Sequence, residues 1–269
     1  MADTDTTSEG GGSVHGVPVT AERLGLEGPR GRVFQGISLD AGPGGLIAVD
    51  GPSGSGRTCL LLTLTGRMRA TEGTATVGEF RLPKQPAAVR RISAVANVAG
   101  VTDLEPALTV GEHLRERALL QRRFGDSLRD LARPRSERTT RTARRVDDAL
   151  AAAGLDPAAL PKGPRTAVRD LERIEALRLS VALALVGEPR LLAVDDVDLK
   201  LSAAERSEAG ALLASIAAAG TTVLAVCGEP PAGAVVVRTG TVGDERTGLP
   251  EGPGTGEETG DALATTGRA

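Results

Sequence analysis

One short segment of the sequence has the residue types and spacing of an anion-binding loop. Residues 51–58 read Gly-Pro-Ser-Gly-Ser-Gly-Arg-Thr, which fits the pattern G-x-x-x-x-G-K-[ST] except that Arg57 stands where the pattern has lysine. Such a loop turns backbone N–H groups toward an anion, and the following helix adds the positive end of its dipole. Gly54 and Gly56 allow close approach to phosphates because they carry no Cβ. The pattern predicts a site for a nucleoside triphosphate.

The predicted nucleotide contacts include the whole loop and the next residue. They are Gly51, Pro52, Ser53, Gly54, Ser55, Gly56, Arg57, Thr58 and Cys59. The alternative for this segment is a glycine-rich turn that binds nothing. Arg57 keeps the positive charge of the lysine, but its planar guanidinium is bulkier than an ammonium group. We therefore expect the positive charge at this position to be kept, but the geometry of the contact with the γ-phosphate to be less favourable.

The sequence around the loop alternates between predicted strands and predicted helices. An apolar, strand-like run precedes the loop at 46–50, and the helix after it is expected to run to about residue 69. Further strands are predicted at 17–21, 32–39, 72–77, 91–97, 191–196, 222–226 and 234–238. Further helices are predicted at 109–153 with a break at 133–136, at 170–186 and at 203–219. This alternation predicts an α/β fold with a parallel sheet and a helical insertion at about 102–175.

The two ends of the chain differ in composition from the rest. Residues 1–16 and 244–269 are rich in glycine, threonine and acidic residues and have no apolar periodicity. They are predicted to be disordered tails around one folded domain at 17–243.

Composition limits the classes of function. The net charge is −3, and the sequence has no Trp, no Tyr and three Phe, which disfavours nucleic-acid binding by stacking. Arginines between residues 122 and 145 alternate with acidic residues, which favours a solvated helix face or a protein contact. The two cysteines suggest neither a disulfide framework nor zinc, and His113 is predicted on a helix surface. No apolar run approaches the ~20 residues that span a bilayer, so we expect no membrane span and a cytoplasmic location.

The arrangement of motifs resembles the ATP-binding subunit of ABC transporters over residues 17–243. The loop is followed by Leu-Leu-Leu-Thr-Leu-Thr-Gly at 60–66, and residues 184–196 resemble the Walker B region of that family. The resemblance implies an α/β P-loop ATPase core with a mainly parallel sheet, an N-terminal antiparallel β portion and an inserted α-helical subdomain. It also implies ATP and Mg²⁺ as cofactors. Thr58 would offer its hydroxyl to Mg²⁺, and Asp195 would hold the ion from the opposite side; the alternative for Asp195 is a solvated strand end.

Several catalytic positions depart from the family pattern. Asp196 stands where a glutamate acts as general base, and its side chain is one methylene shorter, so it is either a weak base or a strand-end residue. The glutamine of the Q-loop falls on Asn97, which is either a further Mg²⁺ ligand through its carbonyl oxygen or an ordinary strand-end residue. The switch histidine falls on Gly228, and the aromatic residue that stacks on adenine would fall near Gly28.

The signature sequence shows the largest departure. Leu-Ser-Gly-Gly-Gln falls on Leu171–Glu175, where only the leucine is kept and Glu172 and Glu175 bring two carboxylates. The D-loop falls on 199–202 and is unrecognisable. In the family, the signature closes over the γ-phosphate that a partner subunit binds. Negative charge there repels a triphosphate, so we expect this chain to cover a partner's ATP poorly.

These residues support two hypotheses about function. The first is an ATP-binding subunit of an ABC-type transport system, in which hydrolysis is weak or depends on a partner ATPase. Its partners would be a membrane permease and a second ATP-binding subunit in a homo- or heterodimer, at the inner face of the cell membrane. The second is a regulatory or scaffold protein on the same fold. A GTPase is disfavoured because N-K-x-D is missing: the sole asparagine, Asn97, precedes valine.

Overall fold

The computed structural model describes residues 15–124 and 135–240. Most of the two predicted tails and part of the predicted helix break at 133–136 therefore lie outside the described residues. Where the described chain begins, the Gly16 N–H donates to the Gly220 carbonyl at 2.6 Å. The division into a domain at 17–243 and a subdomain at 102–175 stays a prediction.

The described residues form nine strands and six α-helices. The strands are β1 (Val19–Gly28), β2 (Gly31–Ala41), β3 (Leu46–Asp50), β4 (Glu72–Val77), β5 (Phe80–Leu82), β6 (Ser93–Ala96), β7 (Leu191–Val194), β8 (Thr222–Val226) and β9 (Val235–Arg238). The helices are α1 (Arg57–Leu64), α2 (Pro86–Ile92), α3 (Val110–Phe124), α4 (Arg135–Ala152), α5 (Arg173–Leu185) and α6 (Ala203–Ala218). Three short 3₁₀ turns lie between α4 and α5.

The strands form two sheets of different type. One is antiparallel with the order β2-β1-β4-β5, and the other is parallel with the order β6-β7-β8-β3-β9. Every residue of β7 and β8 is buried, as expected for a parallel sheet that is covered on both faces. The α/β class with both sheet types is therefore confirmed. The carboxyl ends of β3, β6, β7 and β8 share one edge, where ligands bind in open parallel sheets.

Helix α1 connects the two sheets through their apolar core. Its Leu60, Leu61 and Leu64 are fully buried and belong to the same cluster as Phe34 of β2 and Leu224 of β8. The other face of the parallel sheet is covered by α3 to α6. Burial of these leucines fixes the axis of α1, and it therefore fixes where the N-terminus of that helix points.

Two predicted element boundaries are wrong. The helix after the loop ends at Leu64 and not near residue 69, because Gly66 adopts a left-handed backbone (φ 71°) and its N–H turns back to Thr63. The strand expected at 91–97 begins only at Ser93, because α2 precedes it and begins with Pro86.

Candidate functional site

The predicted phosphate loop lies between the end of β3 and the start of α1. Gly54 has φ 80°, and a Cβ there would meet no atom within 4 Å, so this side of the loop is open. Gly56 has φ 86°, and a Cβ there would lie 2.7 Å from the Val33 carbonyl oxygen. Close packing against β2 therefore requires the second glycine, whereas Gly54 leaves space for a ligand.

Several backbone donors of the loop and of the start of α1 have no acceptor in the described chain. The N–H groups of Gly54, Gly56, Arg57 and Thr58 donate to no acceptor among residues 15–124 and 135–240. The N–H groups of a helix's first turn have no partner within the helix, and they carry its positive dipole end. The Ser55 N–H is used by the loop itself, since it donates to the Pro52 carbonyl at 3.2 Å.

The side chain of Ser55 anchors the loop to the end of the sheet. Its Oγ lies 2.6 Å from Oγ1 of Thr239, and both residues are only 2% exposed. Thr239 in turn donates its N–H to the Asp50 carbonyl at 2.8 Å, just before the loop. This hydroxyl pair was not identified from the sequence, because Thr239 lies in an unremarkable segment after the last strand.

Thr58 and Asp195, the two residues predicted on opposite sides of Mg²⁺, are in direct contact. The Thr58 hydroxyl donates to Oδ2 of Asp195 at 2.8 Å. Asp195 is 2% exposed, and its Oδ1 is buried without a hydrogen-bond partner among the described residues. Burial raises the pKa of this carboxyl, and the Thr58 hydrogen bond opposes the rise, whereas the nearby charge of Asp196 adds to it. A buried carboxylate oxygen without a partner fits a site that takes up a cation.

The Arg57 charge lies over the same edge of the sheet. Arg57 has no ion-pair partner among the described residues, and its charge opposes the rise in the pKa of Asp195. It acts in the same way on Cys227, whose pKa burial raises to about 11, with Asp198 and Asp50 adding to the rise.

Asn97 and Asp196 lie side by side at this edge. Both have left-handed backbones, with φ 56° and 43°. The carboxamide nitrogen of Asn97 donates to the Asp195 carbonyl at 2.9 Å and to the Asp196 carbonyl at 3.4 Å. The Asn97 N–H donates to Oγ of Ser180 at 2.8 Å. Ser180 was not identified from the sequence, although a serine between Leu179 and Val181 on an apolar helix was a usable signal.

Four other positions were predicted to depart from the family pattern: Gly228, Glu172, Glu175 and Gly28. Gly228 follows β8, and its N–H donates to Oδ2 of Asp198 at 2.6 Å. The two glutamates lie at the start of α5, where the Glu172 N–H donates to Oε2 of Glu175 at 2.9 Å. Gly28 lies in the β1–β2 hairpin.

The prediction for His113 is wrong. It is 8% exposed and not on the surface of α3, because α3 packs against α4 and α5. Its Nε2 lies 3.3 Å from the Glu105 carbonyl.

The sequence profile of the ABC transporter family matches residues 34–198. The chain therefore belongs to the ABC transporter family. The match includes the loop, Asn97, the segment in place of the signature and Asp195, which are the parts of the site described above. Within 15–124 and 135–240, no helix has both the length and the apolar character needed to cross a membrane.

Curated relatives of the chain are ABC proteins from several kingdoms. It is 30% identical over 184 residues to a probable anion import ATP-binding protein of Haloferax volcanii, with 66% of this chain and 60% of that protein covered. It is 31% identical over 220 residues to an ABC transporter ATP-binding/permease protein of Mycobacterium tuberculosis, with 82% and 23% covered. The chain thus spans less than two thirds of the length of either relative.

Solved structures share the fold. The structure of cbiO1 from Clostridium perfringens, part of the ABC transporter complex cbiONQ, superposes with a TM-score of 0.61 at 19% identity and 78% coverage of both chains. A dimeric ATP-binding cassette bound to ADP and Pi superposes with a TM-score of 0.59 at 20% identity, covering 78% of this chain and 88% of that one.

Proposed function

We propose that the chain is the ATP-binding subunit of an ABC-type transport system and that residues 51–59 bind MgATP. The observation that carries the proposal is the set of N–H groups at Gly54, Gly56, Arg57 and Thr58 without an acceptor in the described chain. These donors occupy the first turn of a helix and the glycine-rich loop before it. Such an arrangement stabilises phosphate by hydrogen bonds and by the helix dipole together.

Arg57 supplies the side-chain charge for the phosphates. It has no ion-pair partner in the described chain, so no carboxylate has to be displaced before it meets an anion. Its guanidinium offers several N–H donors in one plane, which suits a bidentate contact to phosphate oxygens.

Thr58 and Asp195 would hold Mg²⁺. Hydroxyl and carboxylate oxygens are suitable ligands for this ion, and Oδ1 of Asp195 is buried with no partner in the part of the chain that the structure describes. When bound, the ion neutralises charge on the phosphates. The direct Thr58–Asp195 hydrogen bond shows that both oxygens already lie together. Coordination by Asn97 stays a prediction, because its nitrogen, and not its oxygen, faces Asp195.

Hydrolysis by the isolated chain is expected to be slow. Asp196 is the candidate general base, and its side chain is shorter than the glutamate of the family. Gly228 has no side chain to assist it. Loss of general-base catalysis typically costs ~10²–10⁴-fold in rate. We therefore propose that turnover depends on a second ATP-binding subunit.

The proposed partners are a membrane permease and that second subunit, which would place the chain at the cytoplasmic face of a membrane. Relatives of the chain support these partners: one is an ATP-binding/permease protein, and one structural neighbour is dimeric. Glu172 and Glu175 at the start of α5 would repel a triphosphate bound to the other subunit. This favours a heterodimer in which the two nucleotide sites differ.

A regulatory or scaffold protein is the second candidate. The altered positions Asp196, Gly228 and 171–175 favour it, because a protein that uses nucleotide only to set its conformation does not need them. Affinity purification separates the two candidates: a permease among the stable partners supports transport, whereas exclusively soluble partners support regulation.

The nucleotide site is tested by titrating the purified chain with a fluorescent ATP analogue, with and without Mg²⁺. We expect Arg57→Ala to lower affinity about tenfold or more, since hydrogen bonds to charged groups contribute about 1.5–3 kcal/mol. Asp195→Asn should remove the increase in affinity that Mg²⁺ brings. Arg81→Ala, an exposed arginine of β5, is the matched control and should bind as wild type. Equal binding by all four proteins, or none by the wild type, would refute the proposal.

A further inference from the structure

The peptide groups that carry Asp195 and Asp196 are held by a neighbouring residue. β6 and β7 run parallel in register, with Ala96 opposite Val194, so Asn97 follows β6 just where Asp195 follows β7. The Asp195 N–H donates to the Ala96 carbonyl at 3.1 Å, and the Asn97 carboxamide returns a hydrogen bond to the Asp195 carbonyl. The N–H and the carbonyl of Asp195 are therefore both hydrogen-bonded to residues at the end of β6.

This arrangement needs an unusual backbone at two residues. Asn97 and Asp196 are both left-handed, a conformation that is uncommon for non-glycine residues, although Asn and Asp adopt it more often than the others. Asn97 also reaches the Asp196 carbonyl at 3.4 Å, so one side chain contacts both peptide groups. The left-handed backbone of Asn97 is thus what aims its carboxamide at β7.

Ser180 holds that backbone. Its Oγ accepts the Asn97 N–H at 2.8 Å, and Ser180 is 5% exposed within α5. The contact joins residues 83 positions apart, so it depends on the tertiary packing of α5 against the end of β6. Through it, α5 is connected by two successive hydrogen bonds to the peptide of Asp195.

We propose that Ser180 and Asn97 are positioning residues of the nucleotide site. Ser180 fixes the left-handed turn at Asn97, and the Asn97 carboxamide fixes the Asp195 peptide, so that the Asp195 carboxylate stays directed at Thr58. The role of Asn97 is then to orient Asp195 and not to bind Mg²⁺. The inference rests on the proposed function for its effect on nucleotide binding, but the hydrogen bonds themselves can be tested without nucleotide.

The inference separates two parts of the site. The N–H donors proposed for phosphate belong to Gly54, Gly56, Arg57 and Thr58, and within the described residues none of them is hydrogen-bonded to Ser180 or Asn97. Loss of the Ser180 hydroxyl should therefore leave metal-free nucleotide binding unchanged and weaken only the contribution of Mg²⁺. If Asn97 were instead a metal ligand, Asn97 variants would lose that contribution and Ser180→Ala would keep it.

Four variants of the full chain test the inference. Ser180→Ala removes the acceptor, and Ser180→Thr keeps a hydroxyl; Ser180 lines two cavities of about 550 and 460 Å³, which have room for the added methyl. Asn97→Gly removes the carboxamide and tolerates the left-handed backbone. Thr142→Ala is the matched control, because it also removes a buried helical hydroxyl, which donates at 2.8 Å to Arg138 of the same helix.

Hydrogen exchange tests the contact itself in the absence of nucleotide. We expect the backbone amide of Asn97 to exchange about threefold faster or more in Ser180→Ala, and near the wild-type rate in Ser180→Thr and Thr142→Ala. An unchanged rate in Ser180→Ala overturns the inference, whether or not the chain binds ATP.

Titration of the fluorescent ATP analogue with and without Mg²⁺ tests the effect on the site. Ser180→Ala and Asn97→Gly should each lower the Mg²⁺-dependent gain in affinity about two- to tenfold, with unchanged affinity in its absence. Ser180→Thr should restore the gain. A full gain in Ser180→Ala overturns the inference, and so does an equal loss of affinity with and without Mg²⁺. If the wild type binds no nucleotide, the proposed function fails, and the exchange result alone decides whether Ser180 holds Asn97.

Discussion

Asp195 combines a cost in stability with the proposed role in metal binding. Its carboxylate is almost completely buried, Oδ2 accepts a hydrogen bond from Thr58, and Oδ1 has no partner within residues 15–124 and 135–240. A buried charge without a full set of partners destabilises a fold. A site that keeps such a residue is a candidate for a function that needs it, and cation binding is the function that this geometry supports.

The raised pKa of Asp195 predicts how stability depends on pH. In the unfolded chain the carboxyl loses its proton near pH 4, whereas burial raises its pKa in the folded protein. The folded state therefore binds more protons between these two pKa values, and its free energy of unfolding falls as pH rises through that window. We expect Asp195→Asn to melt at a higher temperature than wild type at neutral pH, with a difference that shrinks as the pH falls toward about 4. Thermal unfolding followed by circular dichroism measures it, and a lower melting temperature for the variant at neutral pH contradicts the argument.

At the scale of elements, Gly54 and Gly56 in the loop between β3 and α1 have different surroundings. Both are left-handed, so an added Cβ is strained by about 1–2 kcal/mol at either position. Only at Gly56 would that Cβ also meet a backbone atom, the Val33 carbonyl oxygen of β2. Alanine at either position would therefore be strained by the left-handed backbone, but only alanine at position 56 would also overlap a backbone atom.

This pair gives a prediction for stability. Gly54→Ala should lower the free energy of unfolding by about 1–2 kcal/mol, and Gly56→Ala by a further 1–3 kcal/mol or so, because overpacking adds to the strain. Urea unfolding at equilibrium measures both. Equal losses would show that β2 yields to the added methyl.

The sequence predicted those parts of the site that depend on local pattern. The loop at 51–58 and the strand before Asp195 follow from glycine spacing and apolar runs, and both lie where they were expected. The Ser180–Asn97 and Ser55–Thr239 contacts join residues 83 and 184 positions apart, and no local pattern specifies them. The early end of α1 and the start of β6 depend on Gly66 and Pro86, whose effect on these boundaries requires their backbone conformation.

At the scale of the whole molecule, the two sheets and α1 place the loop, Asp195 and Asn97 at one edge of the parallel sheet. Gly228, Glu172 and Glu175 are predicted to stand where members of the ABC transporter family carry residues of their catalytic motifs. We infer that binding of nucleotide has been kept more completely than the means to hydrolyse it.

This inference predicts the activity of the purified chain. Phosphate release from ATP should stay near the background rate, and Asp196→Asn should change it by less than about twofold, because no efficient base is lost. Asp40→Asn, which alters an exposed aspartate of β2, is the control. Appreciable hydrolysis that Asp196→Asn abolishes would show that Asp196 reaches the attacking water.

The most direct test of the central claim is the response of the loop amides to MgATP, measured by NMR chemical shifts in the full chain. If the N–H groups of Gly54, Gly56, Arg57 and Thr58 hold the phosphates, their resonances should shift more than those of the remaining backbone, and inorganic phosphate should reproduce part of the change. Saturating MgATP that leaves these four amides unmoved, or that shifts only residues elsewhere, would contradict the account.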